Sequence, residues 1–569
     1  MQKTISKLFK TFIVLSLFLT PLSAFAGPPT VVRDINLFEV SSSPANYVDV
    51  NGVLFFKGDD GIYGQELWKS DGTPEGTVML RDIRVGGSGS NIANLTNVNG
   101  VLFFQADDGV NGRELWKSDG TQNGTVMVKD IKAGNNFTGP ENLININGTL
   151  YFSVDDGVNG SELWKSDGTE AGTVMVKDIR AGSNGSGPSV FVNYNNTLYF
   201  KAYESVNGSE LWKSDGTEVG TVMVKDIRAG AGNSSPASLI DVNGTLFFSA
   251  DNGTNGVELW KSDGTEGGTV IVKDINNGAG ASSPGYLTNV NGTLYFTAND
   301  GINGYELWKS DGTEVGTVMV KDIRVGALNS SLASLIDVNG TLFFSADNGT
   351  NGAELWKSDG TEVGTVMVKD INNGAGTSSL SYLTNINSTL YFTANNGVNG
   401  AELWKSDGTE VGTVIVKDIN NGAGTSSPAN LTNVGGFLYF SANNGINGIE
   451  LWKSDGTEVG TVMVKDVKNG TTGSGIASTM ILNSSLFFYA NNGVNGGELW
   501  KSDGTQNGTV MVKDINSGSG NSEINSPITF NGLLYFTATD GINGVELWKS
   551  DGTEAGTVMV KDINSGAGS

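Results

Sequence analysis

Tryptophan recurs in this chain on a fixed period. It stands at Trp68, Trp116, Trp164, Trp212, Trp260, Trp308, Trp356, Trp404, Trp452, Trp500 and Trp548, and every interval is 48 residues. A constant period of this length marks a repeat architecture. It replaces the three or four separate domains that 569 residues would otherwise imply. Each Trp sits in the string Glu-Leu-Trp-Lys-Ser-Asp-Gly-Thr, as at residues 114–121. Gly-Thr-Val and an apolar pair follow, as at 124–128, and then a basic residue, Asp and Ile or Val, as at 129–131. A second level of repetition lies above this one. Residues 238–256 recur unchanged at 334–352, an offset of 96, so a two-repeat block was duplicated late.

One repeat reads as four short strands. In the second repeat they are expected near 95–98, 101–106, 114–118 and 125–131. Asn99-Gly100 and Asp119-Gly120 supply the positive φ angles that tight hairpins need. Leu115 and Trp116 are adjacent, so they point to opposite faces of their strand. Leu102-Phe103-Phe104 and Val126-Met127-Val128 are apolar throughout, as in strands buried on both faces. A four-stranded sheet packed between two neighbouring sheets meets that demand, which is the geometry of a β-propeller blade. The fold expected is therefore all-β: eleven 48-residue four-stranded antiparallel blades. No interval departs from 48, which favours one large ring, with two smaller propellers or an open spiral as alternatives. The repeat array covers 44–569, and residues 27–43 carry an extra outer-type strand, Val31-Val32-Arg33-Asp34-Ile35, a candidate latch.

The eleven copies of Glu-Leu-Trp-Lys-Ser-Asp-Gly-Thr resemble the ELWxxDGT repeat of secreted bacterial tandem-repeat proteins, over essentially all of 31–569. The resemblance implies an exported, propeller-like bacterial protein and transfers no catalytic residue. Tyr63-Gly64 and Tyr203-Glu204-Ser205 depart from the usual loop between the second and third strands.

Composition narrows the chemistry. The chain has no His and no Cys. That removes His and Cys metal sites, Ser-His-Asp triads, Cys-His dyads and disulfides. With 35 Lys+Arg against 60 Asp+Glu it carries −25, the wrong sign for nucleic acid. Residues 1–26 read as a signal peptide: Lys3, Lys7 and Lys10, an apolar run, then Ala24-Phe25-Ala26 before Gly27. Its apolar run is short for a membrane span. Without those three Lys the net charge is 32 − 60 = −28. The mature chain is expected to be soluble, secreted or periplasmic, or at the cell surface.

The candidate sites each have a structural reading beside them. The Trp indoles are either sugar-stacking platforms or core residues between blades, and the adjacent Leu favours core. Glu114, Asp119 and Asp130 recur in every repeat, so none marks a unique pocket of the kind a glycosidase needs. A short hairpin loop would set Glu114 opposite Lys129 and Trp116 opposite Met127. Asp119 suits a turn start. Asp107, Asp108 and Asn111 offer hard oxygens for calcium, but Gly109 and Ser118 stand where an EF-hand needs ligands. Asn147, Asn243 and Asn291 begin Asn-Gly-Thr, which reads as turn followed by strand. No cofactor is expected. The function expected is non-catalytic binding or scaffolding, by multivalent contact with surface polysaccharide or a protein partner. A polysaccharide hydrolase or lyase and a structural surface-layer component are the alternatives. Tyr63, Tyr203 and Glu204 are the residues an enzyme reading would turn to.

Overall fold

The Asn-Gly pairs set the register. Asn99 and Gly100 take φ values of 51° and 84°, the left-handed pair that lets a two-residue turn follow the twist of its strands. Val98 and Val101 pair directly across it. In the computed structural model, which describes residues 43–563 except Gly72, Pro74, Asn136 and Asn469, blade 2 has four strands. They are Ala93–Val98, Val101–Asp107, Arg113–Ser118 and Val126–Lys129, in an antiparallel meander. Ten further sheets repeat this order, each from its own stretch of chain.

The third strand is the middle of the blade. Trp116 lies opposite Phe104 on one side and Met127 on the other. The pairing then slips by one residue, so Leu115, not Glu114, faces Lys129. The expected Glu114–Lys129 pair is therefore corrected: a bulge in the outer strand takes up the extra residue, and Glu114 is left without a partner across that ladder.

Leu115 and Trp116 serve opposite seams. Trp116 packs with Phe55, Leu67 and Leu80 of blade 1. Leu115 packs with Leu150, Phe152 and Trp164 of blade 3. Burying each such side chain contributes about 1.5–3 kcal/mol, so every seam is held by its own apolar core. The last seam is like the others. Leu54, Phe56 and Trp68 of blade 1 join Phe530, Tyr535, Leu547 and Val560 of blade 11. The Asn531 amide donates to Gly52 O at 3.2 Å, as Asn243 does to Gly292 O at 3.3 Å within the array. The described residues thus form one closed eleven-bladed ring, which replaces the two-ring and open-spiral alternatives. The candidate latch at 31–35 lies outside the described residues. Each sheet draws all four strands from one repeat, so no strand is exchanged to close this ring among the described residues.

The first strand of each blade meets the first strands of its neighbours all round the ring, blade 1 against blade 11 included. It is therefore the innermost strand and lines the bore. The antiparallel order places the first and third turns of every blade on one face. The loop between the second and third strands shares the other face with the crossover to the next blade. Contacts such as Ser186 N to Ser161 O at 2.9 Å join that loop to that crossover. Among the described residues, no helix is long and apolar enough to cross a membrane.

Candidate functional site

The motif is the first place to look for chemistry, and its carboxylates and hydroxyls already have internal tasks. Glu114 is fully buried. Its carboxylate accepts Ile131 N at 2.8 Å and Lys132 N at 3.1 Å. In blade 3 the matching Glu162 also accepts Ser186 N at 2.7 Å and Ser186 Oγ at 2.5 Å. The carboxyl thus ties the end of the outer strand and the crossover back to the blade centre. Burial pushes Glu114 up to about 7, with Asp130 and Asp108 adding to the rise. A carboxyl in that range suits proton transfer. This one is sealed from solvent and touches its own backbone, so no substrate reaches it.

The rest of the string closes a hairpin. Ser118 Oγ and Thr125 Oγ1 lie 2.8 Å apart in the interior. The Asp119 carboxylate accepts Thr121 N at 2.8 Å and Thr121 Oγ1 at 2.7 Å, and is held below the usual carboxylate range by those bonds. Gly120 turns at φ 85°, and a Cβ there would lie 3.3 Å from Phe55 of the preceding blade. Asp130 lies exposed beyond the outer strand. Its equivalent Asp274 accepts Asn255 Nδ2 at 2.5 Å and Gly278 N at 3.2 Å. The eleven indoles are 4–7% exposed, too enclosed to stack on a sugar. Trp68 Nε1 donates to Gly58 O and Trp452 Nε1 to Ala442 O, each at 3.1 Å, and the other nine indole N–H groups are buried without a hydrogen-bond partner. A Lys from the preceding blade covers several of them: Lys129 Nζ sits 5.8 Å from the Trp164 ring centre and donates to Thr173 O at 2.9 Å.

The oxygens considered for calcium are directed at protein. Asp107 pairs with Arg84 at 2.7 Å and accepts Gly109 N at 2.7 Å. Asp108 accepts Val110 N, Asn111 N and Asn111 Nδ2 at 2.7–2.9 Å. Among the described residues, no group of three or more His, Cys, Asp or Glu is placed to hold a metal ion. Asn147, Asn243 and Asn291 take φ of 50°, 51° and 47° at hairpin turns. Glu204 accepts Val206 N and Asn207 N, the same loop-closing task as Asp108. Tyr203 lies under the Arg180 guanidinium, and Tyr63 is half exposed at a loop tip. None of these converges with a second reactive group. The seams between blades hold shallow hollows, such as one of about 190 Å³ lined by Asn339, Lys357 and Asp407. Residues of these types recur at most of the seams.

Outside the motif, one exposed feature recurs around the ring. At the tip of the loop between the second and third strands stand Val110, Val158, Val206, Ile302, Val398, Ile446, Val494 and Ile542, each 65–72% exposed, and Ile62 at 38%. Nine of the eleven blades thus carry an aliphatic tip on the crossover face; Thr254 and Thr350 complete the circle. Inside that circle, on the innermost strands, Tyr286 is 63% and Tyr382 54% exposed. Sequence reading missed both features. The tips left a signal, an aliphatic residue kept in a polar Gly- and Asn-rich loop. The tyrosines left only a departure, shared with Val190, from the Asn or Ser that eight of the eleven blades hold at one inner-strand position.

No protein-family model and no curated protein matches the chain. Among solved structures it is similar to a puromycin hydrolase, at 12% identity and a TM-score of 0.26, over 62% of this chain and 58% of that one. It is similar to prolyl oligopeptidase B from Galerina marginata at 13% identity and a TM-score of 0.28, over 62% and 55%. It is similar to a GH74 enzyme of Niastella koreensis at 14% identity and a TM-score of 0.26, over 91% and 84%. The chain spans little more than half the length of the first two. At these identities and scores nothing of their activities passes to this chain.

Proposed function

We propose that this chain is an exported, non-catalytic binding or scaffolding module that meets polysaccharide or protein at the cell surface. It would act after loss of a leader near Ala26, as the ELWxxDGT resemblance implies. One observation carries the reading. The carboxylates and hydroxyls of the motif are taken up in holding the ring, while the crossover face repeats one exposed loop tip in nine of eleven blades. A face that offers the same contact many times gains avidity on a repetitive target without any single strong site. Its strong negative charge favours neutral or cationic targets, because like charge slows encounter.

The test is affinity electrophoresis of the purified chain through gels carrying soluble polysaccharides, with a reducing-end assay run in parallel. Retardation that strengthens with polymer length, with no new reducing ends, supports the proposal. Turnover that disappears in Glu204→Gln would replace it with a hydrolase or lyase.

A further inference from the structure

We propose that the mouth of the bore on the crossover face is a binding site for a neutral polysaccharide chain, with Tyr286 and Tyr382 as its stacking platforms. The proposal rests on the binding reading above and assigns it a ligand class and two residues.

The two tyrosines stand at a position that holds Asn in four blades, Ser in four and Val190 in blade 4. Their position on the innermost strand is left-handed in every blade: φ is 57° at Asn94, 55° at Asn142, 52° at Tyr286 and 54° at Tyr382. Asn tolerates that conformation, whereas a bulky residue there is an outlier. In three blades the residue at this position bonds the next blade. Asn94 Nδ2 donates to Pro140 O of the next blade at 3.1 Å, and Asn142 Nδ2 to Pro188 O at 3.3 Å. Ser478 Oγ does the same to Ile524 O at 3.2 Å. A tyrosine with an exposed ring gives up this bond. At blade 8 the next blade's Pro428 O is served instead by Thr393 Oγ1 at 2.7 Å. Blade 4 sets Val190 on the same left-handed backbone at φ 58°, but blades 6 and 8 present an exposed aromatic ring there.

The surroundings select the ligand. Leu287, next to Tyr286, turns into the seam core with Trp308, which leaves the Tyr286 ring on the open side. Between the two tyrosines, blade 7 presents the exposed Ser334, and further along the inner strands Asn289 and Asn385 are exposed. Flat aromatic faces beside hydroxyl and carboxamide groups match a sugar, which has apolar C–H faces and a rim of hydroxyls. The inner strands of blades 6 to 8 hold no Lys or Arg to receive an acidic sugar, and blade 7 contributes Asp337. A neutral glycan is therefore favoured over an anionic one.

Calorimetric titration of the full chain tests this, with hexasaccharides of glucose, mannose and xylose and with oligogalacturonate as the acidic contrast. Tyr286→Asn/Tyr382→Asn restores the residue used in other blades, so its melting temperature is expected to hold or rise. A neutral hexasaccharide bound by the parent chain should bind the double variant about tenfold more weakly or worse. Tyr286→Trp/Tyr382→Trp should keep the affinity. Equal binding by the parent and the Asn variant would overturn the bore site and leave the binding reading standing. Binding of galacturonate alone would overturn the ligand class. Binding of no glycan by the parent would remove the proposal and the polysaccharide reading together.

Discussion

The Arg180 guanidinium carbon stands 4.4 Å from the ring centre of Tyr203, across the seam between blades 3 and 4. Other seams set a cation against a carboxylate at the same two positions: Arg84 with Asp107 at 2.7 Å, Lys132 with Asp155 at 2.5 Å and Arg324 with Asp347 at 2.6 Å. At three further seams the positions hold two amides, Asn276 with Asn299, Asn372 with Asn395 and Asn420 with Asn443. Each such member is matched to a partner 23 residues on in the next blade. Tyr203 breaks the repeat in sequence but keeps the seam, because an aromatic face holds a guanidinium.

That match predicts the effect of substitution. Tyr203→Ala should lower stability by about 0.5–1 kcal/mol, since the cation then faces a gap. Tyr203→Asp should keep most of the parent stability by recreating the Arg84–Asp107 arrangement. Chemical denaturation of the three proteins decides it, and an Asp variant as weak as the Ala variant would refute the pairing.

Trp308→Ala removes the largest side chain from the seam it shares with Leu294, Phe296 and Val242. The expected loss is about 3–5 kcal/mol, as for other enclosed aromatics. An unchanged melting temperature would show that the indole is not part of the core.

Stability should fall as pH rises from 5 to 8. Burial raises Glu66 and Glu498 to about 8 and Glu114 and Glu306 to about 7, from an ordinary value of 4.5. Between 4.5 and those values the folded chain holds protons that the unfolded chain has released, so raising the pH through this window favours unfolding. The turn carboxylates have the opposite sign. Asp119 and Asp311 are held below 3.8 by bonds from their own Thr residues, so their contribution is lost only at lower pH. Thermal melts should therefore peak near pH 5. A melting temperature that climbs from pH 5 to 8 would contradict the buried-carboxyl account.

Much of the ring was legible because it depends on local rules. Asn99-Gly100 specifies its turn without help from elsewhere, and adjacent Leu115 and Trp116 must face opposite seams whatever surrounds them. The unbroken 48-residue interval favoured one ring, and the seam joining Trp68 to Val560 realises it. Glu114 was not legible. Its missing cross-strand partner depends on a bulge in the outer strand, and its bonds come from backbone N–H groups 17 and 18 residues further on. The inner-strand tyrosines were illegible for a related reason: the left-handed backbone at Tyr286 comes from the irregular pairing between Gly285 and Thr288, which no residue type announces. The seam partners of Tyr203 and Arg180 lie in different repeats, so reading repeats one at a time hid them.

The central claim is that the motif is spent on holding eleven blades in one closed ring. Single-particle images of the purified chain viewed down the bore test it most directly. The account predicts one ring of eleven radial densities around a central hole, with the seam between the Trp68 and Val560 blades closed like the rest. Two smaller rings, or an arc open at that seam, would contradict it.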